Sequence, residues 1–505
     1  MKTIQKLLIL SIIVSLIVFV FACKSDTEQN QGVEQNGGSE TSGTNESGRG
    51  ADESNEGESQ TESFMLDLPD ITFDGDEFVM HVRGLEQNAA WHLIGNFYAE
   101  EQNGEQLNDA VYNRNRKIEE KFDIKLTVIQ SNGTTGTAAH IASLIAAGDD
   151  SVDVFVPPMY QTSPLITKGL FTNLRDVPYI DLDKPWWDQN ANRDLSINGK
   201  LYVTIGDIAI STMDATSTVY FNKTIHAGLN LEDMYNLVRE GKWTLDKMSE
   251  MSRQALKDLN GDGVYDKDDQ FGLVAQETIV GNYFFASGEN VTINDANGLP
   301  VSSVNNPRAI NAIGKVIDVL AEGNGAYTGK DEVTAEIFRN GQGLFYSHVL
   351  DTAERLRAEE INFGIVPMPK LDETQERYYN FADSWCMCLI GIPVTNNNLE
   401  RAGVILEALA AESMYTMVPV YYETNLSNQF FRDDDSIEML EIIRETRVLS
   451  IDSFYEWGMT DTVRDIINKG DSNAVVSKID SSVEKFKSKI DKTIETIENL
   501  DSLSN

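Results

Sequence analysis

The chain has few residues of the kinds that build disulfide frameworks or His/Cys metal centres. Among its 505 residues are three cysteines and five histidines, and the histidines have no spacing typical of metal ligands. Cys386 and Cys388 lie two apart in an apolar segment, a poor geometry for a disulfide. Both are therefore expected to be buried free thiols, and the fold must depend on a hydrophobic core.

Positive charge is also scarce. The sequence has 41 Lys and Arg against 80 Asp and Glu, a formal net charge of −39. Such a surface repels phosphate groups, which excludes nucleic acid and anionic lipid as partners. Solubility at a cell surface is the simplest role for this charge.

The N-terminus carries a targeting signal. Two lysines are followed by an apolar run at 7–21 and then by Ala22 and Cys23. This pattern predicts a lipoprotein signal peptide over 1–22, in which small Ala22 admits cleavage and the Cys23 thiol takes a diacylglyceryl group. A transmembrane anchor is the alternative, but the run is shorter than the about 20 residues that a span needs. Lipidated Cys23 is expected to hold the chain on the extracellular face of the cytoplasmic membrane.

Residues 23–63 have the composition of a tether. They are rich in Glu, Ser, Gly, Asn, Gln and Thr and contain scarcely an apolar residue, so they are predicted to be disordered. A flexible coil of roughly 40 residues has a root-mean-square reach of about 35 Å. The tether would keep a folded body near the membrane and let it turn.

One loop has the ligand pattern of an EF-hand-like calcium site. Oxygen ligands at positions 1, 3, 5, 7, 9 and 12 would come from Asp258, Asn260, Asp262, Val264 through its carbonyl, Asp266 and Asp269. Gly263 occupies position 6, where the turn needs φ > 0. A predicted strand follows the loop in place of a second helix, which indicates one structural calcium ion and not a sensor pair. The alternative is an Asp/Gly-rich turn without metal.

The remaining about 440 residues exceed what one hydrophobic core normally supports, so two lobes are expected. The predicted first lobe comprises 64–210 plus 348–395. The predicted second lobe comprises 211–347 plus 396–505 and includes the terminal helices.

Short strands alternate with amphipathic helices along the body. Strands are predicted at 78–82, 124–129, 152–156, 201–205, 217–221, 344–349 and 363–366. Helices are predicted at 109–122, 138–147, 245–256, 307–320 and 399–414, with a long terminal helix from 474. This alternation predicts an α/β fold with a largely parallel, doubly wound sheet.

Seven segments carry a family resemblance through their order and spacing: 83–86, 107–115, 184–188, 197–202, 220–223, 241–244 and 363–370, among them Lys184-Pro185-Trp186-Trp187-Asp188. They resemble the extracellular solute-binding lipoproteins of bacterial carbohydrate ABC transporters, of the family 1 type. The resemblance implies a two-lobed, type II periplasmic-binding-protein-like (Venus-flytrap) fold with several hinge crossings. It further implies a monomer that binds sugar between its lobes and delivers it to the ABC transporter permease subunits.

A sugar ring needs flat aromatic faces and polar groups in one cleft. The candidates are Trp186, Trp187, Asp207, Tyr283, Asp383 and Trp385. The adjacent tryptophans follow Pro185 in a loop, and two adjacent indoles cannot both face one core from a regular strand. Asp207 follows a predicted strand, where open α/β sheets place ligands. For each candidate, packing or a turn is the alternative, and residues 213–216 are expected near a hinge.

Three functions remain open at this stage. The binding protein fits the dispersed aromatics, the tether and the lack of a nucleophile constellation, and needs no catalytic residue. A secreted glycan-processing enzyme would need two carboxylates at a defined separation, which an acidic sequence neither reveals nor excludes. A ferric-ion binding protein of the same fold is suggested by the pairs Tyr421-Tyr422 and Tyr378-Tyr379, although these can equally belong to packed aromatic segments.

Overall fold

The structure, a computed structural model, describes residues 68–84, 94–131, 136–357, 359–385, 387–422 and 434–503. These residues all belong to one compact unit. The predicted signal peptide, the lipidation site at Cys23, the tether and Cys386 lie outside the described residues. Cys388 is a buried free thiol, as predicted.

The described strands and helices follow the predicted alternation. The strands are β1 Asp76–Val82, β2 Ile124–Gln130, β3 Val154–Val156, β4 Ser217–Asn222, β5 Phe271–Gln276, β6 Thr292–Asn294, β7 Pro300–Ser302, β8 Ala326–Gly329, β9 Gly343–Val349, β10 Phe363–Val366, β11 Asn380–Phe381 and β12 Arg447–Val448. The helices are α1 Ile94–Phe97, α2 Gln106–Phe122, α3 Thr137–Ala146, α4 Ser163–Thr167, α5 Gln189–Asp194, α6 Lys223–Gly228, α7 Met234–Arg239, α8 Leu245–Ala255, α9 Asn282–Ala286, α10 Pro307–Val319, α11 Asp331–Arg339, α12 Thr352–Arg357, α13 Leu399–Val420, α14 Asp434–Glu445, α15 Ile451–Tyr455, α16 Met459–Lys469 and α17 Val475–Leu503.

The first lobe is built on a parallel sheet of three strands in the order β2-β1-β3. Strand β1 is buried along most of its length, as expected for a parallel strand covered on both faces. The extended segment 387–393 adds backbone bridges to this sheet, including Phe155 to Gly391. The chain therefore returns to the first lobe after it has built the second.

The second lobe is built on a sheet of five strands in the order β10-β4-β9-β5-β8. Strands β9, β5 and β8 pair in parallel, whereas β4 pairs antiparallel with both β9 and β10. The sheet is therefore mixed, and the prediction of a largely parallel sheet holds for the first lobe but is wrong around β4. The predicted strand at 201–205 is reduced to an isolated bridge between Thr204 and Ile390.

Two elements lie in the lobe opposite to the one predicted. Strand β10, expected in the first lobe, pairs with β4 in the second sheet. Helix α13, expected in the second lobe, packs against α2 of the first. It is long and apolar enough to span a membrane, but 72 % of its most apolar window is buried. Helix α13 is therefore a core helix of the first lobe.

Three extended segments meet between the two sheets, and we call them the hinge strip: residues 215–216, 380–383 and 446–449. The amide of Asp383 donates to the Ala215 carbonyl (2.9 Å), and Ala382 donates to Val448 (2.9 Å). The first segment begins at the last residue of the 3₁₀ helix Asp207–Ala215, so residues 213–216, which were predicted to lie near a hinge, are found where the chain passes between the two sheets. The strip joins the lobes through paired backbone.

Candidate functional site

A cavity of about 850 Å³ opens between the two lobes beside the hinge strip. Its walls come from the loop after β3, the strip itself, the ends of β5 and β9, and the corner between α15 and α16. A volume of this size lies within the usual range of small-molecule sites. Elements from both lobes therefore face one shared, partly open cavity.

One wall carries a platform of two aromatic rings. Trp385 is 44 % exposed, and its ring stacks beside that of Tyr160 with an interplanar angle of 17°. Behind the platform, Arg83 donates to the Trp385 carbonyl (2.9 Å), and its guanidinium lies 5.3 Å from the indole centroid. The two rings are nearly parallel and both line the cavity, and the exposed indole suits stacking against the C–H face of a sugar.

The opposite wall is polar and lies at the carboxyl ends of β5 and β9, where α/β sheets generally bind ligands. His348 Nε2 lies 3.0 Å from Asp331 Oδ1, and its Nδ1 is hydrogen-bonded to Thr352. Arg355 lies within 4 Å of carboxylate oxygens of Asp331 and Asp351. The His348 contact is the main cause that lowers the pKa of Asp331. This wall is a connected network of ionisable groups.

The third wall is the corner between α15 and α16. The buried Asp452 carboxylate accepts the amide hydrogens of Met459 (3.1 Å) and Thr460 (2.6 Å) and so caps α16. Glu456 and Gly458, between the helices, both have positive φ, 53° and 92°. Helix α15 packs on the first lobe near α4, whereas α16 packs on α10 of the second. The corner is thus both a cavity wall and a connection between lobes.

Trp385 and Asp383 line the cavity, as expected of them, whereas Trp186 and Trp187 do not. Both indoles are buried in the first lobe and donate to one carboxylate, that of Glu407 on α13, at 3.1 and 2.9 Å. The Asp181 amide donates to the same group (3.2 Å). The two adjacent indoles can face one core because they share this acceptor. The prediction that Trp186 and Trp187 line the sugar cleft is therefore wrong.

Asp207 and Tyr283 also lie outside the cavity lining. Asp207 begins the 3₁₀ helix next to the hinge strip, and its Oδ2 has no hydrogen-bond partner among the described residues. Burial raises its pKa to about 7, against the opposing effect of Arg444. Tyr283 is buried and hydrogen-bonded to Ser347. Its neighbour Asn282 lines the cavity instead.

The predicted calcium loop follows α8 and leads into β5. Gly263 has φ +80°, as position 6 requires. Asp258 accepts the amides of Gly261 and Gly263, and buried Asp269 accepts those of Leu259 and Asp266. The donor set is entirely oxygen, which suits calcium. Among the described residues, however, no three His, Cys, Asp or Glu side chains are gathered for a metal ion, so these carboxylates would have to turn inwards.

The paired tyrosines have a different environment from that of a ferric site. Tyr421 donates to Asp214, and the Tyr422 hydroxyl is buried. Burial raises the pKa of both phenols, which opposes the phenolate form that Fe(III) prefers. Tyr378 donates to the Val238 carbonyl (3.1 Å) and serves packing.

Several lining residues were not identified from the sequence. Gln276 and His348 lie at strand ends, and Tyr160 follows the Pro157-Pro158 pair after β3. The rule that ligands bind at carboxyl ends of strands, applied to every predicted strand, would have found these three. The α15–α16 corner carries no comparable sequence signal.

Comparison with known proteins identifies relatives of this fold. A family model for bacterial extracellular solute-binding proteins matches residues 115–418. A search of curated proteins found no match.

Solved structures resemble the chain over most of its length at low sequence identity. A cyclo/maltodextrin-binding protein complexed with maltotetraose has a TM-score of 0.55 and 16 % identity, over 83 % of this chain and 98 % of that one. MalE from Listeria monocytogenes in complex with maltose has a TM-score of 0.54 and 14 % identity, over 83 % of this chain and 99 % of that one. UspC of M. tuberculosis has a TM-score of 0.53 and 13 % identity, over 82 % of this chain and 100 % of that one. These likenesses show the two-lobed α/β fold.

The buried carboxyl group that holds the tryptophan pair makes stability depend on pH. Burial raises the pKa of Glu407 from 4.5 to about 7. Between these values the folded state binds a proton that the unfolded state does not, so the free energy of unfolding falls as pH rises from about 4.5 to 7. The free energy of unfolding of the wild type should fall by on the order of 3 kcal/mol between pH 4.5 and 7.5, and Glu407→Gln should abolish this fall. Urea unfolding of both proteins at the two pH values measures the difference. Exposed Glu400→Gln on the same helix is the control, and an unchanged pH dependence in Glu407→Gln would contradict this account.

Proposed function

The chain belongs to the family of bacterial extracellular solute-binding proteins, and we propose that its solute is a sugar or oligosaccharide. The observation that carries this proposal is the interlobe cavity with the Tyr160–Trp385 platform on one wall and hydrogen-bonding side chains on the others. Sugars need this combination of a flat apolar face and polar groups. The similar structures bound to maltotetraose and maltose support the same solute class.

The proposed mechanism is capture by closure, followed by delivery to the permease of an ABC importer. A sugar that contacts both lobes stabilises the closed form by the difference in contact free energy between the open and closed states. The hinge strip supports this mechanism because a few backbone pairs connect the two sheets. Members of the family bind solutes, and we propose that this chain likewise has no catalytic activity; product analysis after incubation with oligosaccharides tests this point.

We also propose that the protein is anchored by lipid at Cys23. The signal-peptide pattern with Ala22 before the cysteine supports this anchor. The folded body would then remain at the outer face of the membrane, next to its permease.

A structural calcium ion in the loop 258–269 is a further proposal. The spacing of its oxygen donors and the positive φ of Gly263 support it. The ion would bind Asp258, Asn260, Asp262, Asp266 and Asp269 and the Val264 carbonyl, and it would offset the repulsion among neighbouring carboxylates. Its role would be to stabilise the link between α8 and β5.

The platform generates the first test of solute binding. Trp385→Ala should cost on the order of 2 to 4 kcal/mol of binding free energy, the range of a truncated hot-spot residue. Titration calorimetry with maltotetraose, maltose and other oligosaccharides measures this loss. Apo stability should change little because the indole is 44 % exposed.

Two variants control for this experiment. Trp385→Phe keeps an aromatic face and should retain part of the affinity, and Tyr179→Ala removes an aromatic side chain of similar exposure, 45 %, outside the cavity. Normal sugar affinity in Trp385→Ala would remove the platform from the site.

The calcium proposal predicts a response to chelator. At a free ion concentration 100 times the dissociation constant, calcium adds about 2.7 kcal/mol to the free energy of unfolding, so EDTA should lower the melting temperature. Asp262→Ala should abolish this response. Asp268→Ala, in the same loop but outside the ligand set, should keep it, and a melting curve that ignores EDTA would make the loop a metal-free turn.

The anchor proposal predicts the fate of a cysteine variant. Cys23→Ser should release the protein into the medium or leave it unprocessed, because no thiol remains to accept the lipid. Membrane fractionation and mass measurement distinguish these products from the lipidated form. Sugar affinity of the released body should equal that of the wild type, whereas a mature lipidated Cys23→Ser protein would refute the anchor.

A further inference from the structure

The described side chains that line the cavity have an unequal balance of charge. Six are carboxylates and two are guanidinium groups, so their formal charge is −4 with His348 neutral. The carboxylates are those of Asp331, Asp351, Asp383, Asp452, Glu456 and Asp461. Asp331 and Asp351 belong to the wall at the ends of β5 and β9, Asp383 belongs to the hinge strip, and the other three belong to the α15–α16 corner. The negative charge is therefore spread over more than one wall.

Both guanidinium groups are already engaged by carboxylates of the same cavity. Arg464 Nη2 lies 2.9 Å from Asp461 Oδ1. Arg355 lies 3.8 Å from Asp331 and 3.6 Å from Asp351. An anionic group on a ligand that approached either arginine would also come close to a lining aspartate.

A third arginine near the site is turned away from it. Arg83 is buried beneath the platform, where it donates to the Trp385 carbonyl and lies under the indole. The ring of Trp385 therefore separates this charge from the cavity. Arg83 supports the platform and does not supply a cation for a ligand.

We infer that the cavity takes glycans without acidic groups, neutral sugars or amino sugars, and rejects uronates and sulfated or phosphorylated sugars. This inference rests on the proposed carbohydrate function. Hydroxyl and ammonium groups donate hydrogen bonds to carboxylates, whereas an added anion is repelled by the like charge of the lining carboxylates. Like-charge juxtaposition is a common means of rejecting wrong partners.

Calorimetry with oligosaccharides that differ in charge tests the inference. The neutral probes are maltotriose and tri-N-acetylchitotriose, the cationic probe is chitotriose, and the acidic probe is trigalacturonate. At least one neutral or cationic probe should bind at least about a hundredfold more tightly than trigalacturonate, a ratio within reach of charge-based rejection. Tightest binding of trigalacturonate would overturn the inference and leave the carbohydrate function intact. Failure of every probe would count against the carbohydrate function and, with it, the inference.

A charge variant gives an independent readout. Asp461→Asn frees Arg464 and removes one negative charge, so its affinity for trigalacturonate should rise about tenfold at low salt, an increase that high salt should reduce. Asp461 is largely exposed, so the fold should tolerate the change. Asp246→Asn, which breaks an ion pair with Lys315 away from the cavity, is the control and should leave the affinity unchanged. Equal weak binding of trigalacturonate by both variants at both salt concentrations would contradict the proposed electrostatic filter.

Discussion

The backbone pairing of the hinge strip is the constraint on which the rest of the structure depends. Its three segments are hydrogen-bonded to one another between the two sheets, and they bring Asp383 and Trp385 to the cavity. A buried ion pair between Arg447 of the strip and Asp188 fastens the strip to the first lobe. Separating the pair would leave a buried charge without its partner, which is strongly destabilising. The ion pair therefore opposes movement of this end of the strip away from the first lobe.

The strip also explains why the second sheet is mixed. Strand β4 begins immediately after residue 216 and runs away from the strip, whereas β9 ends there, with Leu350 donating to the Thr216 carbonyl. Strands β5, β8, β9 and β10 therefore share one direction, and β4 opposes them. Their common direction brings the ends of β5 and β9 to the cavity. Apolar periodicity predicts β4 as a strand but contains no information on where the chain enters the lobe, so the sequence pointed to a parallel sheet.

The same distinction separates the site residues that could be predicted from those that could not. Local patterns predicted many of the longer strands and helices to within a few residues, and Trp385 with Asp383 were identified because they precede an apolar segment interpreted as a strand. The positions of Trp186 and Trp187 depend on Glu407, which lies about 220 residues away and supplies the acceptor that makes a buried indole pair stable. No local signal contains that contact, so an apparently exposed aromatic pair is part of the core.

In the proposed mechanism, the α15–α16 corner would link ligand binding to the arrangement of the lobes. Helix α15 packs on the first lobe and α16 on the second, while Ser453 and Thr460 on either side of the corner line the cavity. Positive φ at Glu456 and Gly458 makes the corner sharp, and Lys489 of α17 donates to the carbonyls of Glu456 and Trp457. A solute that touches both helices therefore contacts both lobes through one short connection. Since a ligand shifts a conformational equilibrium only by its differential contacts, this corner is where such contacts would act most directly on the proposed closure.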